Sequence, residues 1–167
     1  MPEIVIREFV TGDGVALAEM IRENSALYAE LAPDYFKQAD AEGLVEFIEG
    51  DDEWRAGTDN FGRVAEADGE VAGYVEATLQ APLESARWQS QRDLAAPRLH
   101  IGFVQTSDRF KRLGVATCLV EAAEAWGRER GARVAICDTY LDSPMSVPFW
   151  ERRMGYTRRA IVLRKEL

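Results

Sequence analysis

The 167-residue sequence has only two cysteines, Cys118 and Cys137, and a single histidine, His100. Two thiols provide neither a disulfide framework nor a cysteine-rich metal site, and such low cysteine content is typical of the reducing cytoplasm. No apolar run reaches the length of about 18 residues that a membrane-spanning helix needs, and the N-terminal segment lacks the pattern of a signal peptide. We therefore expect a cytoplasmic protein without a bound metal and without a membrane partner.

Basic residues are scarce in the first part of the chain. Residues 1–97 carry 7 basic and 21 acidic side chains, a net charge of −14, whereas residues 98–167 carry 13 basic and 8 acidic ones, a net charge of +5. The overall charge of −9 argues against non-specific binding to nucleic acid, because the phosphate backbone would be repelled. The asymmetry indicates a cationic partner for the first part and an anionic one for the second, unless the acidic residues only maintain solubility.

Hydrophobic residues make up 47% of the sequence and charged residues 29%, which is typical of one globular domain. Hydrophobic periodicity and turn residues predict the order βααβββαβαβ, a mixed α/β or α+β fold. The predicted strands are residues 4–9, 63–67, 71–79, 98–106, 133–137 and 156–164. The predicted helices are one that follows Asp13 as its N-cap and ends before Pro33, and residues 37–48, 114–130 and 144–154.

Residues 110–117, FKRLGVAT, lie between a predicted strand and the most clearly amphipathic predicted helix. A helix that begins there directs backbone N–H groups and the positive end of its dipole toward one point. Gly114 and Ala116 are small enough to let a phosphate approach the backbone. Three basic residues lie nearby: Arg109, Lys111 and Arg112. The segment alone fits either an anion site or an ordinary turn with solvated basic residues.

Together with a second motif, this segment resembles the GCN5-related N-acetyltransferase (GNAT) superfamily. That family carries Arg/Gln-x-x-Gly-x-Gly/Ala at the start of its central helix, and residues 111–116 here read KRLGVA. It also carries an aromatic pair, a Glu and a closing Gly-aromatic pair, and residues 149–156 here read FWERRMGY. The resemblance implies a single N-acetyltransferase domain over residues 1–167. The implied acyl-CoA N-acyltransferase fold has a central, mostly antiparallel sheet flanked by helices.

The resemblance also implies that acetyl-CoA is the co-substrate. Backbone amides of residues 112–117 would hold its pyrophosphate, and the strand at residues 104–106 would pair with its pantetheine arm. Lys111 departs from the Arg or Gln of the family motif. The implied cofactor-binding residues are Val104, Gln105, Thr106, Lys111, Arg112, Leu113, Gly114, Val115, Ala116, Thr117 and Trp150.

An amine must lose a proton to attack a thioester, so the chemistry implied by the resemblance requires a general base. The family often places a Glu near the start of the strand before the pyrophosphate loop, and here His100 occupies that place. The pKa of an ordinary histidine suits a base near neutral pH. Glu76, on the preceding strand, is the rival candidate. Each residue also has a structural interpretation, as a histidine hydrogen-bonded within the sheet and as a surface carboxylate.

The general acid is a separate question, because Trp150 stands where the family commonly has a tyrosine. An indole N–H donates a hydrogen bond but does not give up its proton at useful pH. Either Tyr140 or Tyr156 protonates the leaving thiolate, or the thiolate leaves unassisted. Both tyrosines are also explained as ordinary core aromatics.

Acidic residues occupy the segments that the resemblance places beside the acceptor, and they favour the primary amine of a cationic small molecule. They are Glu30, Asp34, Asp40, Glu42 and Glu46. Protein N-termini and lysines are alternative acceptors. Two other classes of function are a catalytically silent acyl-CoA-binding regulatory module and an interaction protein that uses the fold as a scaffold. The sequence leaves open whether the protein forms a homodimer.

Overall fold

The computed structural model describes residues 2–166, which divide into two compact units, one ending at Cys137 and one beginning at Asp138. The predicted single domain over residues 1–167 stays a prediction. The strands of the first unit are β1 (Ile4–Glu8), β2 (Asn60–Ala67), β3 (Glu70–Gln80), β4 (Arg98–Thr106) and β5 (Val134–Cys137). Its α-helices are α1 (Asp13–Leu31), α2 (Leu44–Glu49), α3 (Asp52–Arg55) and α4 (Val115–Glu129).

The five strands form one mixed sheet in the order β1-β2-β3-β4-β5. The first four are antiparallel neighbours, and β5 is parallel to β4. Asp68 and Gly69 both have positive φ, 53° and 77°, which is the backbone of the tight hairpin turn that the sequence predicted between β2 and β3. The predicted mixed α+β class, with a mostly antiparallel sheet flanked by helices, is confirmed.

Helices cover the two faces of the sheet, and β3 contributes to both because successive side chains of a strand point to opposite sides. Tyr74 packs with Leu17 of α1 and Ile48 of α2 on one face. Gly73 faces α4 on the other, where a Cβ atom would lie 2.8 Å from Val115 Cγ1 and 3.1 Å from Leu119 Cδ1. A Cβ on Gly73 would also lie 2.6 Å from the backbone oxygen of Gln105. The missing side chain therefore lets the start of α4 approach the sheet closely.

Three details of the predicted helices differ from the structure. The N-cap of α1 is Gly12, and Asp13 is the first helical residue. Helix α2 begins at Leu44 instead of residue 37, because its apolar residues start only there and Gly43, with φ of 73°, sets its N-terminus. Helix α3 has four residues and was not predicted, because so short an element shows no periodicity.

The second unit contains a short α-helix, α5 (Ser146–Pro148), that continues as a π-helix over Phe149–Arg153. This confirms a helix within the predicted range 144–154. The predicted strand over residues 156–164 was wrong, because residues 156–166 have no regular secondary structure. Ile161, Val162 and Leu163 are 73%, 87% and 90% exposed. A β-favouring sequence becomes a strand only when another strand pairs with it, and local preference cannot supply that partner.

None of the helices in residues 2–166 is long and apolar enough to cross a membrane. In the same residues, no group of three or more histidine, cysteine, aspartate or glutamate side chains is arranged to hold a metal ion.

Candidate active site

The loop between β4 and α4 presents a helix N-terminus on a distorted backbone. Arg112 and Gly114 both have positive φ, 63° and 90°. The first helical hydrogen bond of α4 runs from the Cys118 N–H to the Gly114 carbonyl at 3.0 Å. The first turn of a helix has N–H groups without an intrahelical acceptor, and they point out of the helix end. A Cβ on Gly114 would meet no atom within 4 Å, so the space beside this turn is open.

The basic side chains of this loop are partly neutralised by neighbouring carboxylates. Lys111 forms an ion pair with Asp108, and Arg109 forms one with Glu70. Arg112 is exposed. The loop is therefore better suited to hold an anion with its backbone amides than with a cluster of unpaired cations.

Strand β4 has a neighbour on both sides only along its first half. β5 pairs with Arg98–Ile101, whereas β3 pairs with β4 as far as Thr106. Across the described residues, no strand pairs with the β5 side of residues 102–106. Backbone N–H and C=O groups of that stretch lie along this edge. The stretch includes the half-buried Val104, Gln105 and Thr106. An open strand edge can accept an extended ligand that carries amide groups.

Both candidate bases lie close to the position where β5 ends. The register of β3 and β4 shifts there: Ala77 pairs with Ile101 and Glu76 with Phe103, so Gly102 is an extra residue in a β-bulge. His100 pairs with Thr78. Because Glu76 and Thr78 are two residues apart, Glu76, Thr78 and His100 share one face of the sheet, the face that α1 and α2 cover.

The environment of Glu76 favours its protonated form more than water does. Burial raises the pKa of Glu76, and the negative charge of Asp51 acts in the same direction. Tyr74 and the Arg55 guanidinium oppose this rise without cancelling it. A carboxyl group with a raised pKa is a stronger base than an ordinary glutamate, which is the property that general-base catalysis requires.

The remaining candidates belong to the second unit. Trp150 is buried, and its ring centroid lies 4.9 Å from that of Tyr156 and 5.1 Å from that of Phe149. The Tyr156 N–H donates to the Trp150 carbonyl at 2.9 Å, and the Ser143 N–H donates to the Tyr140 carbonyl at 3.0 Å. The FWERRMGY motif therefore forms an aromatic cluster within this unit. The roles of Tyr140, Tyr156 and Trp150 toward acetyl-CoA stay predictions.

The residues that act on Glu76 were not predicted from the sequence. Tyr74 lies two residues before Glu76, so strand periodicity could have placed both on one face. Asp51 is the N-cap of the short helix α3, and Arg55 is its last residue. No pattern in the sequence indicated that this helix packs on the sheet. Only the packing of α3 against the sheet identifies them.

Comparison with known proteins identifies the class. The model of the Acetyltransferase (GNAT) family matches residues 24–156, and the chain therefore belongs to this family. No curated protein matches the sequence.

Solved structures support the same fold. A transcriptional regulator from Bacillus halodurans C-125 is 20% identical, with a TM-score of 0.74 over 99% of this chain and 100% of its own. An aminoglycoside N-acetyltransferase in complex with CoA is 20% identical, with a TM-score of 0.64 over 100% of this chain and 97% of its own. Glucosamine-6-phosphate N-acetyltransferase from Arabidopsis thaliana is 16% identical, with a TM-score of 0.65 over 98% of both chains. Likeness at this level of identity extends to the fold and not to the substrate.

Proposed function

We propose that this protein is an acetyl-CoA-dependent N-acetyltransferase that acetylates the primary amine of a cationic small molecule. Membership of the acetyltransferase family and the CoA in one solved relative support the co-substrate. The main support is the position of Glu76 relative to the point where β5 stops pairing with β4. The pairing of β5 with β4 ends at Ile101, and Glu76 pairs with the residue just beyond the bulge at Gly102. A candidate base thus lies where the edge of β4 becomes free.

The residues present suit acetyl-CoA in two respects. The positive φ of Arg112 and Gly114 and the open space beside Gly114 suit the approach of a pyrophosphate to the backbone amides of residues 112–117. The edge at residues 102–106 offers backbone groups to the amides of a pantetheine arm. When bound, acetyl-CoA supplies the activated acyl group, and backbone N–H groups of the same edge can stabilise negative charge on the acyl oxygen.

Glu76 is the base in this proposal because its pKa is raised, and His100, the first candidate from the sequence, is the alternative. The Glu76 carboxylate accepts a proton from the acceptor ammonium, directly or through water, and so frees the nitrogen lone pair. The raised pKa of Glu76 brings it closer to the pKa of an amine and makes this transfer less unfavourable. The leaving thiolate takes its proton from Tyr140, Tyr156 or solvent.

A cationic acceptor is supported by the acidic residues near α2. Leu44 and Val45 of α2 pack on the sheet face that also carries Glu76, and Glu42 and Glu46 beside them are exposed. Asp51, before α3, adds a further negative charge that acts on Glu76. A positively charged molecule near Glu76 would therefore be attracted electrostatically.

The first test replaces each candidate base by glutamine, a polar residue of similar size that does not accept a proton near neutral pH. Glu76→Gln is expected to lower kcat by about 10²–10⁴-fold, the usual contribution of a general base, and to abolish the acidic limb of the pH–rate profile. CoA affinity, measured by calorimetry, should stay unchanged because Glu76 lies away from the loop at residues 107–114. His100→Gln is the matched variant. If it loses the limb while Glu76→Gln keeps it, His100 is the base.

A second candidate function is a catalytically silent acyl-CoA-binding module, favoured by Trp150 at the position of the family tyrosine. Thioester consumption measured with a panel of amines separates the two functions. CoA binding without turnover on any amine would support the silent module. A protein that does not bind CoA would contradict both.

A further inference from the structure

On the β2 side of Glu76, the position directly across the sheet has no side chain. Gly62 of β2 is the register partner of Glu76 in β3. A Cβ atom on Gly62 would lie 2.8 Å from the Tyr74 hydroxyl oxygen, 3.3 Å from Trp54 Cζ3 and 3.5 Å from Arg55 Cγ. The Tyr74 hydroxyl therefore occupies the space that a side chain at position 62 would need.

The Tyr74 hydroxyl is buried beside a charged neighbour. Tyr74 and Glu76 lie two residues apart on β3 and share one face, and Tyr74 is 1% exposed. Within residues 2–166, its hydroxyl has no hydrogen bond of ordinary geometry, although Glu76 and Arg55 are near enough to act on its protonation. Buried hydroxyl groups are normally paired, so this one is poised to donate to a nearby acceptor.

Arg55 is fixed in place next to this hydroxyl. Its guanidinium donates to the carbonyls of Ile48 and Glu49 at 2.9 and 3.0 Å, and to Asp52 Oδ1 at 3.1 Å. It also lies over the ring of Phe9, 4.1 Å from the centroid. A cation held by these contacts cannot swing into solvent, so its charge acts at a constant position.

We propose that Tyr74 and Arg55 are positioning residues for Glu76: the Tyr74 hydroxyl donates a hydrogen bond to the ionised carboxylate, and the fixed Arg55 guanidinium stabilises its negative charge. Gly62 is the residue that makes room for the hydroxyl. This inference rests on the proposed function, because Glu76 is the proposed base. The two groups favour the ionised form of this half-buried carboxylate and hold it in one orientation.

Within residues 2–166, three titratable or charged groups act on the protonation of Glu76: Tyr74 of its own strand, and Asp51 and Arg55 of the turn and helix of α3. His100 of β4 lies on the same face of the sheet. On β2 the facing residue is Gly62, which has no charge. Burial and Asp51 raise the pKa of Glu76, whereas Tyr74 and Arg55 lower it. Removing the Tyr74 hydroxyl should therefore raise that pKa, and removing the Asp51 charge should lower it.

The test measures the protonation of Glu76 directly, by ¹³C NMR titration of protein labelled at the glutamate carboxyls and assigned with Glu76→Gln. Tyr74→Phe should raise the pKa of Glu76 by roughly 0.5 to 1 pH unit, the size expected for one hydrogen bond. Gly62→Ala displaces the hydroxyl without deleting it and should shift the pKa in the same direction. Asp51→Asn is the opposing control and should lower it.

The pH–rate profile then separates this inference from the proposed function. If the acidic limb moves to higher pH in Tyr74→Phe together with the carboxyl pKa, both are supported. If the carboxyl pKa moves but the limb does not, the positioning role stands and Glu76 is not the base. The inference is overturned if Tyr74→Phe and Gly62→Ala are both folded, as judged by circular dichroism, and the pKa of Glu76 is unchanged in both.

Discussion

Asp13 links the first strand to the first helix through one buried carboxylate. It is 6% exposed and accepts hydrogen bonds from Arg7 Nη1 and Nη2 at 2.7 and 2.9 Å, and from the Val10 N–H at 2.9 Å. Burial alone would raise the pKa of Asp13, but the Arg7 and Val10 hydrogen bonds and the Arg7 charge outweigh it and leave that pKa below its usual value. The residue therefore stabilises the fold in its ionised form.

Asp13→Asn is expected to lower the free energy of unfolding by about 1.5–3 kcal/mol, the range for a hydrogen bond to a charged group. A carboxyl group with a depressed folded pKa stabilises the protein above its ordinary pKa near 3.8, and this stabilisation is lost as pH falls through the folded pKa. The difference between the two proteins, measured by urea unfolding, should thus shrink under acidic conditions.

The exposed pair of Lys37 and Asp40 provides the matched control for Asp13. Its nitrogen and oxygen lie 2.9 Å apart, but the side chains are 79% and 81% exposed. Asp40→Asn should change stability by less than about 1 kcal/mol, because water and salt screen such pairs. Equal losses for Asp13→Asn and Asp40→Asn would contradict the role assigned to Asp13.

At the scale of elements, helix α4 has a glycine with positive φ at each end. Gly114 at its start has φ of 90°, and Gly131 just past its end has φ of 84°. A Cβ atom would meet nothing within 4 Å at either position. Substituting either glycine therefore strains the backbone by a similar amount, of order 1–3 kcal/mol, without a steric clash. Only Gly114 lies at the end that is proposed to bind pyrophosphate.

Gly114→Val should reduce CoA affinity at least tenfold, because its side chain would enter the open space beside the first turn of α4. Gly131→Val should lose a similar amount of stability and keep its affinity for CoA. Calorimetric titration of both folded variants, with thermal unfolding measured alongside, makes the comparison. Equal affinity in Gly114→Val and the unchanged protein would rule out the proposed pyrophosphate site.

At the scale of the whole molecule, negative charge dominates the unit that ends at Cys137. It carries 14 basic and 25 acidic side chains, a net charge of −11. Diffuse attraction by such a surface is screened beyond about 8 Å at physiological salt, whereas a direct carboxylate contact with an amine is screened much less. The response to salt therefore distinguishes a solubilising surface from a specific acceptor site.

A polyamine should be acetylated with kcat/KM at least about tenfold higher than a neutral-bodied amine of similar length, which is the effect of one charged hydrogen bond. This preference should persist when salt is raised from low to physiological concentration. In steady-state kinetics, the double variant Glu42→Gln/Glu46→Gln should show a smaller preference for the polyamine. Glu121→Gln/Glu129→Gln, on exposed positions of α4, removes the same charge and should leave the preference intact.

If both double variants lose the preference equally, the attraction is diffuse. If neutral amines are acetylated as well as cationic ones by the unchanged protein, the acidic residues serve solubility only. Either result would contradict a specific carboxylate contact with the acceptor.

The sequence by itself determined the elements whose signals are local. The Asp68-Gly69 turn, the alternation of β3 and the amphipathic spacing of α4 each depend on residues close together in the chain, so their prediction succeeded. The motif around Gly114 likewise identified a helix N-terminus, because small residues and positive φ are properties of the local backbone.

Tertiary structure alone decided which side chains meet. The pairing of Gly62 with Glu76, the approach of Tyr74 and Arg55, and the end of β5 pairing at Ile101 join residues from separate elements. The failed strand at residues 156–164 has the same cause, since strand formation depends on a partner elsewhere in space. Periodicity shows which face a residue occupies, but the register between strands and the packing of helices set its neighbours, and these depend on the whole fold.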